Sequence, residues 1–292
     1  MTPVTGFVNI IKPTGMTSSD VVLRVKKILK TKKVGHLGTL DPAASGVLPV
    51  AVGKATKYFD YFLNKDKTYV AVVKFGVETD SLDSFGNITN KDNKIITKED
   101  ILKVLPDFEG KILQVPPKYS AIKINGKRAC DLARDNVDFE IKPKEITIHQ
   151  IKLLEMQNEN VFKFEVHCSA GTYIRTLFSD IAYKMGTVST TPVIIRTQSG
   201  RFNLTNALSL EDFEATQKVL SITEVFKDIQ VVEVDEKIAK KLINGVKIAI
   251  NDIIMSKNAD FNSEVFFAFE NNLIGMYRLS GDKFEPIVYL FQ

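Results

Sequence analysis

The strongest constraint on the fold is an alternation. From Thr68 to Val77 the chain sets Tyr69, Ala71, Val73 and Phe75 against Val70, Val72 and Lys74, a period of two that fits a strand with two distinct faces. The pattern returns in the stretch Val161 to Ser169, where Phe162, Phe164, Val166 and Cys168 alternate with polar residues. Glu145 to Glu155 precedes it across Gln157 to Asn160, so the two segments read as a hairpin with one buried face. Gly6 to Ile11 and Val47 to Val52 read as further strands, the second interrupted at Pro49. A buried sheet face needs cover, and three segments have helical spacing. Val21, Val22, Val25, Ile28 and Leu29 follow a cap at Thr17, Ser18 or Ser19. Ile101, Leu102 and Leu105 follow a cap at Thr97. Ile174, Leu177, Phe178, Ile181, Ala182 and Met185 follow Thr172 as predicted N-cap and run to Gly186.

The most unusual chemistry lies in VGHLGTLDPAASGVLPVAVG, Val34 to Gly53. Pro42 disfavours helical backbone at Asp41, placing that carboxylate on a loop or turn ahead of an apolar strand. Gly35, Gly38 and Gly46 permit tight turns and close approach of a ligand, and His36 is expected in the same loop. A carboxylate with a nearby imidazole fits a catalytic nucleophile or general base. A turn in which Asp41 merely accepts backbone hydrogen bonds fits the spacing as well.

The string GHLGTLDPAASGVLPVAVGKAT resembles the signature of the TruB family of RNA pseudouridine synthases. Three further blocks match in the family's order: KPTGMTSSD from Lys12, KTYVAVVKFGVETDSLDSFG from Lys67, and SAGTYIRTLFSDI from Ser169. The resemblance implies an α+β fold with a mixed, mostly antiparallel central sheet, followed by a small C-terminal PUA-like β-barrel. It implies a synthase unit over 1–230, with an RNA-gripping insertion at about 115–140, and an RNA-binding tail over 231–292. The change of character near Val231, with a short helix ending at Asn244-Gly245 and then short strands, agrees with that division.

By the same resemblance Asp41 is the catalytic aspartate. Tyr69 stacks on the target base and takes part in proton transfer, and Arg175 pairs with the aspartate. An arginine fork holds a carboxylate bidentately and favours its charged form. A cation in the first turn of a helix calls for an anion nearby; without the resemblance, a surface ion pair with Asp180 would serve. Tyr173 lines the base pocket, and His36 fills the gap left by flipped nucleotides. Lys12, Lys118, Tyr119, Lys123, Lys127 and Arg128 are expected RNA contacts. Cys130 stands where many relatives have tyrosine, and Ser81 where threonine is common. The implied reaction converts the T-loop uridine at position 55 of tRNA to pseudouridine by base flipping, with no cofactor. Two alternatives share the scaffold: a guide-RNA-dependent synthase subunit, and a non-catalytic tRNA-folding chaperone.

Composition narrows the rest. A net charge of +4 over 292 residues permits nucleic-acid binding without arguing it alone. Cys130 and Cys168 form no C-x-x-C pair and the three histidines are scattered, so reduced thiols and no metal are expected. The chain lacks a signal-peptide pattern and any apolar run near about 18 residues, which predicts a cytoplasmic protein, expected to be a monomer.

Overall fold

The computed structural model describes residues 4–120, 122–124, 126–135, 137–254 and 264–291, without the side chains of Arg128, Cys130, Arg134 and Ile254. The chain begins β1 (Gly6–Lys12), α1 (Ser18–Ile28), β2 (Val34–His36), β3 (Ser45–Val52), α2 (Phe59–Leu63) and β4 (Lys67–Phe75). It continues with β5 (Val77–Thr79), β6 (Ile88–Lys91), α3 (Lys98–Val104), β7 (Gly110–Gln114), the two-residue strands β8 (Lys123–Ile124) and β9 (Lys127–Arg128), and α4 (Ala129–Arg134). The hairpin β10 (Lys144–Asn158) and β11 (Val161–Cys168) leads to α5 (Ile174–Lys184), β12 (Ser189–Ser199) and β13 (Phe202–Asn203).

Among the described residues, nine of these strands form one sheet in the order β1-β3-β12-β4-β11-β10-β7, with β2 on β3 and β13 on β12. Only the short β3–β12 pairing is parallel. The sheet is therefore mixed and mostly antiparallel, as expected. The alternation in β4 is realised, with Tyr69, Ala71, Val73 and Phe75 buried, and the partner residues Phe162, Phe164, Val166 and Cys168 are buried in β11. On the covered face α1 and α5 supply Val21, Val25, Leu177, Phe178 and Ile181 to the same core.

Local chemistry decides where the helices start. Thr17 caps α1: its hydroxyl accepts from the Asp20 amide at 3.1 Å while the Asp20 carboxylate accepts from the Thr17 amide at 2.8 Å. Thr97 and Asp100 repeat this box at α3, although Leu102 there is exposed rather than core. Three expectations need correction. The N-cap of α5 is Tyr173, because the Thr172 hydroxyl instead donates to the Ser169 carbonyl at 3.0 Å. β3 runs through Pro49 without a break. His36 is not in the Asp41 loop but on β2, paired with Val50 of β3.

After α6 (Leu210–Thr216) and α7 (Ile222–Val225) comes the C-terminal segment: β14 (Gln230–Glu233), α8 (Glu236–Ile243), β15 (Ile248–Ala249), α9 (Asn251–Ile254), β16 (Glu264–Phe269), β17 (Asn272–Ser280) and β18 (Lys283–Tyr289). Its five strands make a curled half-barrel sheet in the order β14-β16-β17-β18-β15. An aromatic seam joins the two sheets. Phe7, Tyr58, Phe62 and Phe226 pack with Phe266, Met276, Val288 and Leu290 in one buried cluster. The Phe226 ring lies 5.2 Å from Tyr58 and 5.7 Å from Phe266. No helix among the described residues is long and apolar enough to cross a membrane.

Candidate active site

Asp41 sits on the turn between β2 and β3, and the residues on either side of it are clamped. The Ser18 hydroxyl, at the start of α1, donates to the Leu40 carbonyl at 3.0 Å and accepts from the Leu40 amide at 2.9 Å. The Gly15 amide donates to the Pro42 carbonyl, and the Ala44 amide closes a turn on the Asp41 carbonyl. Arg196 on β12, almost wholly buried, holds the approach to the turn: its guanidinium donates to the carbonyls of Gly38, Thr39 and Val47 at 3.2, 3.0 and 2.8 Å. Strand register puts it there, since Arg196 pairs with Gly46 of β3 and with Tyr69 of β4. Gly46 has φ +104, and a Cβ there would lie 2.3 Å from the Arg196 carbonyl, so only glycine allows the two strands this close.

The Asp41 carboxylate, about one-third exposed, accepts from Nη2 of Arg175 at 2.5 Å, and that arginine is only 4% exposed. The expected bidentate fork does not form. The other arm, Nη1, donates to the Ser81 carbonyl at 2.8 Å and lies 3.4 Å from the buried carboxylate of Asp83. Two anions thus balance a cation placed in the first turn of α5, where the helix dipole opposes it. Asp180 is not its partner; burial pushes that carboxyl up to about 6.

Asp41, Tyr69, Tyr173, Arg175 and Arg196 line one cleft of about 230 Å³, with Leu40, Ile194 and Lys67 completing the wall. Burial pushes the Tyr69 phenol up to about 12 against the opposing pull of Arg196, so it stays a protonated donor at neutral pH. Burial also raises the Tyr173 phenol, and this residue's backbone is fixed by paired hydrogen bonds to the Gln114 amide. Lys67 is buried with Nζ donating to the Leu63 and Lys65 carbonyls, and burial lowers it to about 8.

The other predicted contacts do not gather in this cleft. Lys12 is not an exposed RNA contact: it is buried, with Nζ donating to the Pro13 and Met16 carbonyls at 2.9 and 2.7 Å, and burial lowers it to about 8. It braces the turn that holds Pro42. His36 is half-buried, its Nδ1 without a hydrogen-bond partner, and burial followed by Arg196 lowers its pKa. Lys118 and Tyr119 are exposed beside a separate cavity of about 580 Å³ shared with Glu78, Asp80 and Tyr183. Tyr119 does reach the site through its backbone, its carbonyl accepting from Arg175 at 3.3 Å. Lys123 and Lys127 are exposed on the β8–β9 ribbon. The side chains of Arg128 and Cys130 lie outside the described residues.

Sequence reasoning passes over Arg196, Lys67 and Asp83 as site residues. A signal for Arg196 exists: in the run Val193, Ile194, Ile195, Arg196 a charge stands two residues from a core isoleucine, on the face that period two buries. Asp83 is masked by the acidic turn around it, whose other carboxylates, Glu78 and Asp80, are half-buried and exposed respectively.

The profile of the TruB family pseudouridylate synthase N-terminal domain matches residues 26–174, a span that holds Asp41 and Tyr69 and ends one residue before Arg175. A protein of Clostridium acetobutylicum named tRNA pseudouridine synthase B is 41% identical over 288 residues, covering 98% of this chain and 99% of that one. The chain belongs to the TruB family. The protein of the same name from Clostridioides difficile is 45% identical over 228 residues, 77% of this chain and 75% of its own. Among solved structures, a chain of the Cbf5-Nop10-Gar1 complex is 25% identical, with TM-score 0.71 over 98% of this chain and 84% of that one. A chain of an H/ACA RNP bound to a substrate RNA has TM-score 0.70 at 22% identity over 98% of this chain and 85% of that one, a likeness of fold. Membership in TruB makes this cleft, with its arginine-held aspartate, the place to look for chemistry.

Proposed function

We propose that this TruB family member is an isomerase that converts uridine to pseudouridine in tRNA, acting on the T-loop uridine at position 55. The observation that carries the reading is the Asp41 carboxylate, held at 2.5 Å by a buried arginine at a cleft walled by Tyr69. The naming of full-length relatives as tRNA pseudouridine synthase B supports tRNA as substrate.

In this proposal the target base leaves its stack and enters the cleft. Asp41 acts at the ribose as nucleophile or as base while the N-glycosidic bond breaks, the uracil turns, and its C5 bonds to the ribose. Arg175 orients Asp41 and keeps a positive charge beside it. Tyr69 stacks on the base, and its phenol can return a proton. Tyr173 lines the same cleft. Arg196, although it lines the cleft, spends its guanidinium donors on the loop carbonyls of Gly38, Thr39 and Val47, so it is a positioning residue. His36, at the near end of β2, is proposed to fill the stack that the flipped nucleotides vacate, and the exposed Lys118, Lys123 and Lys127 to meet RNA phosphates. The proposed division places synthase chemistry in 1–230 and further RNA binding in 231–292.

The test is tritium release from C5-labelled uridine in a T-arm stem-loop with the purified chain alone. Release without guide RNA or partner protein supports the proposal. Release that appears only when a guide RNA is added favours the guided reading, which the likeness to Cbf5 keeps in view, and tight binding without release favours a chaperone.

A further inference from the structure

Two of the three histidines, far apart in sequence from Asp66, meet it on the exposed face of the sheet. β10 and β11 slip register where Ile148 faces Cys168 and Gln150 faces His167, leaving His149 as the extra residue of a bulge. Bulges re-aim side chains. Here the bulge lays the His149 ring 4.7 Å from that of His167, the planes tilted by 41°. Asp66, at the turn into β4, brings its carboxylate within 3.3 Å of His149 Nε2. One donor atom from each of the three lies within 4.8 Å of the others, and all three side chains are open to solvent.

We propose that Asp66, His149 and His167 form a binding site for a borderline divalent transition metal, with Zn²⁺ as the best fit. Two imidazoles and one carboxylate are the donor set such ions take with an open fourth position for water. With zinc–ligand bonds of about 2.0 to 2.1 Å, neighbouring donors in a tetrahedron lie about 3.3 Å apart. The Asp66–His149 edge already has that length. The His167 donor, within 4.8 Å of the other two, closes to that length by small χ rotations, which an exposed side chain makes readily. The site lies outside the Asp41 cleft but is linked to it in sequence: Asp66 stands three residues before Tyr69, and its carbonyl accepts from the Gly200 amide at 3.0 Å. An ion there would tie the entry of β4 to the β10–β11 hairpin.

The experiment is titration of the full, untagged chain with Zn²⁺ against a competing chromophoric chelator. One equivalent should bind with a dissociation constant below about 100 μM. His149→Gln and His167→Gln each remove a donor and should weaken binding at least about tenfold. Asp66→Asn keeps an oxygen donor without its charge and should weaken binding less. At Zn²⁺ about a hundredfold above that constant, the unfolding temperature of the parent chain should rise by a few degrees, and that of the double histidine variant should not. Because the three side chains are exposed, circular dichroism of the variants should match the parent. No saturable binding below about 100 μM, or binding unchanged in the double variant because thiols or the chain terminus hold the ion, overturns the site.

Discussion

The Asp41 cleft and the aromatic seam both bury large side chains, and they are built on opposite principles. The seam is apolar: Phe7, Tyr58, Phe62 and Phe226 meet Phe266 and Met276 with rings about 5 to 6 Å apart, an arrangement that gains from burial and from edge-to-face ring packing. The cleft wall buries Arg175, Arg196 and Lys67, and Lys12 is buried at the adjoining turn of residues 13–16. Each buried charge must have its donors satisfied or it costs several kcal/mol, and here backbone carbonyls and two aspartates satisfy them. If the cleft carries the proposed reaction, stability and chemistry are separated in this molecule. Substitutions in the cleft should act on turnover, and substitutions in the seam on folding.

The largest effect is expected at Asp41. Asp41→Asn keeps the shape of the side chain and loses its ability to act as nucleophile or base, so pseudouridine formation should fall at least about 10³-fold while RNA binding survives. Measurable turnover near the parent rate in the tritium assay would remove Asp41 from the chemistry and break the contrast at its root.

On the other side of the comparison, Phe226→Ala should lower stability by about 3 to 5 kcal/mol, read by urea unfolding, because it empties a site ringed by Tyr58, Phe62 and Phe266. The folded fraction should turn over normally. A drop under about 1 kcal/mol would mean that the two sheets do not depend on each other through the seam.

Arg175→Lys sharpens the cleft side. One guanidinium arm holds Asp41 and the other holds the Ser81 carbonyl and Asp83; a lysine ammonium is a point charge that cannot span both. We expect turnover to drop about 100-fold, equivalent to about 2.7 kcal/mol, with RNA affinity changed little. Near-normal turnover would show that charge alone suffices.

A smaller effect concerns pH. Asp180, on the same helix as Arg175, is pushed up to about 6 by burial. A folded-state value above the unfolded one favours the folded chain at acid pH, and the advantage is lost as pH rises from about 4 through about 6. Asp180→Asn should therefore gain on the order of 1 kcal/mol at pH 8 and little near pH 4. A gain independent of pH would point to packing instead.

The smallest effect is beyond the seam. Lys240 and Lys247 are already paired with Glu236 and Glu285, so Lys237 and Lys241 are the better candidates for binding phosphates through the tail. Replacing both by Gln should lower the slope of log affinity for tRNA against log salt by about 0.7 to 0.9 for each phosphate no longer neutralised, with turnover on a minimal T stem-loop unchanged. An unaltered slope would leave those two lysines without a role in RNA binding.

By itself the amino-acid sequence determined the principal strands of the hairpin and its neighbour, the starts of two helices, and three candidate site residues. Period-two alternation located β4 and β11 because a half-buried strand repeats every two residues, and hydroxyl caps placed the starts of α1, within Thr17 to Ser19, and of α3, at Thr97. Pro42 and the surrounding glycines put Asp41 on a turn, and the ordered motifs named Tyr69 and Arg175. Only the tertiary structure decided what these residues touch. His36 belongs to a strand because β3 offered it a free edge, which no local propensity encodes. Lys12 faces inward because two carbonyls from the following turn accept its ammonium. Arg175 divides its fork between Asp41 and the Ser81–Asp83 turn, and Arg196 reaches the Asp41 loop only because β12 lies between β3 and β4. Asp66, His149 and His167 become neighbours through strand pairing and a single bulge. Local rules act over a few residues, whereas a site is made of side chains that long-range sheet register brings within about 3 Å, the reach of a hydrogen bond.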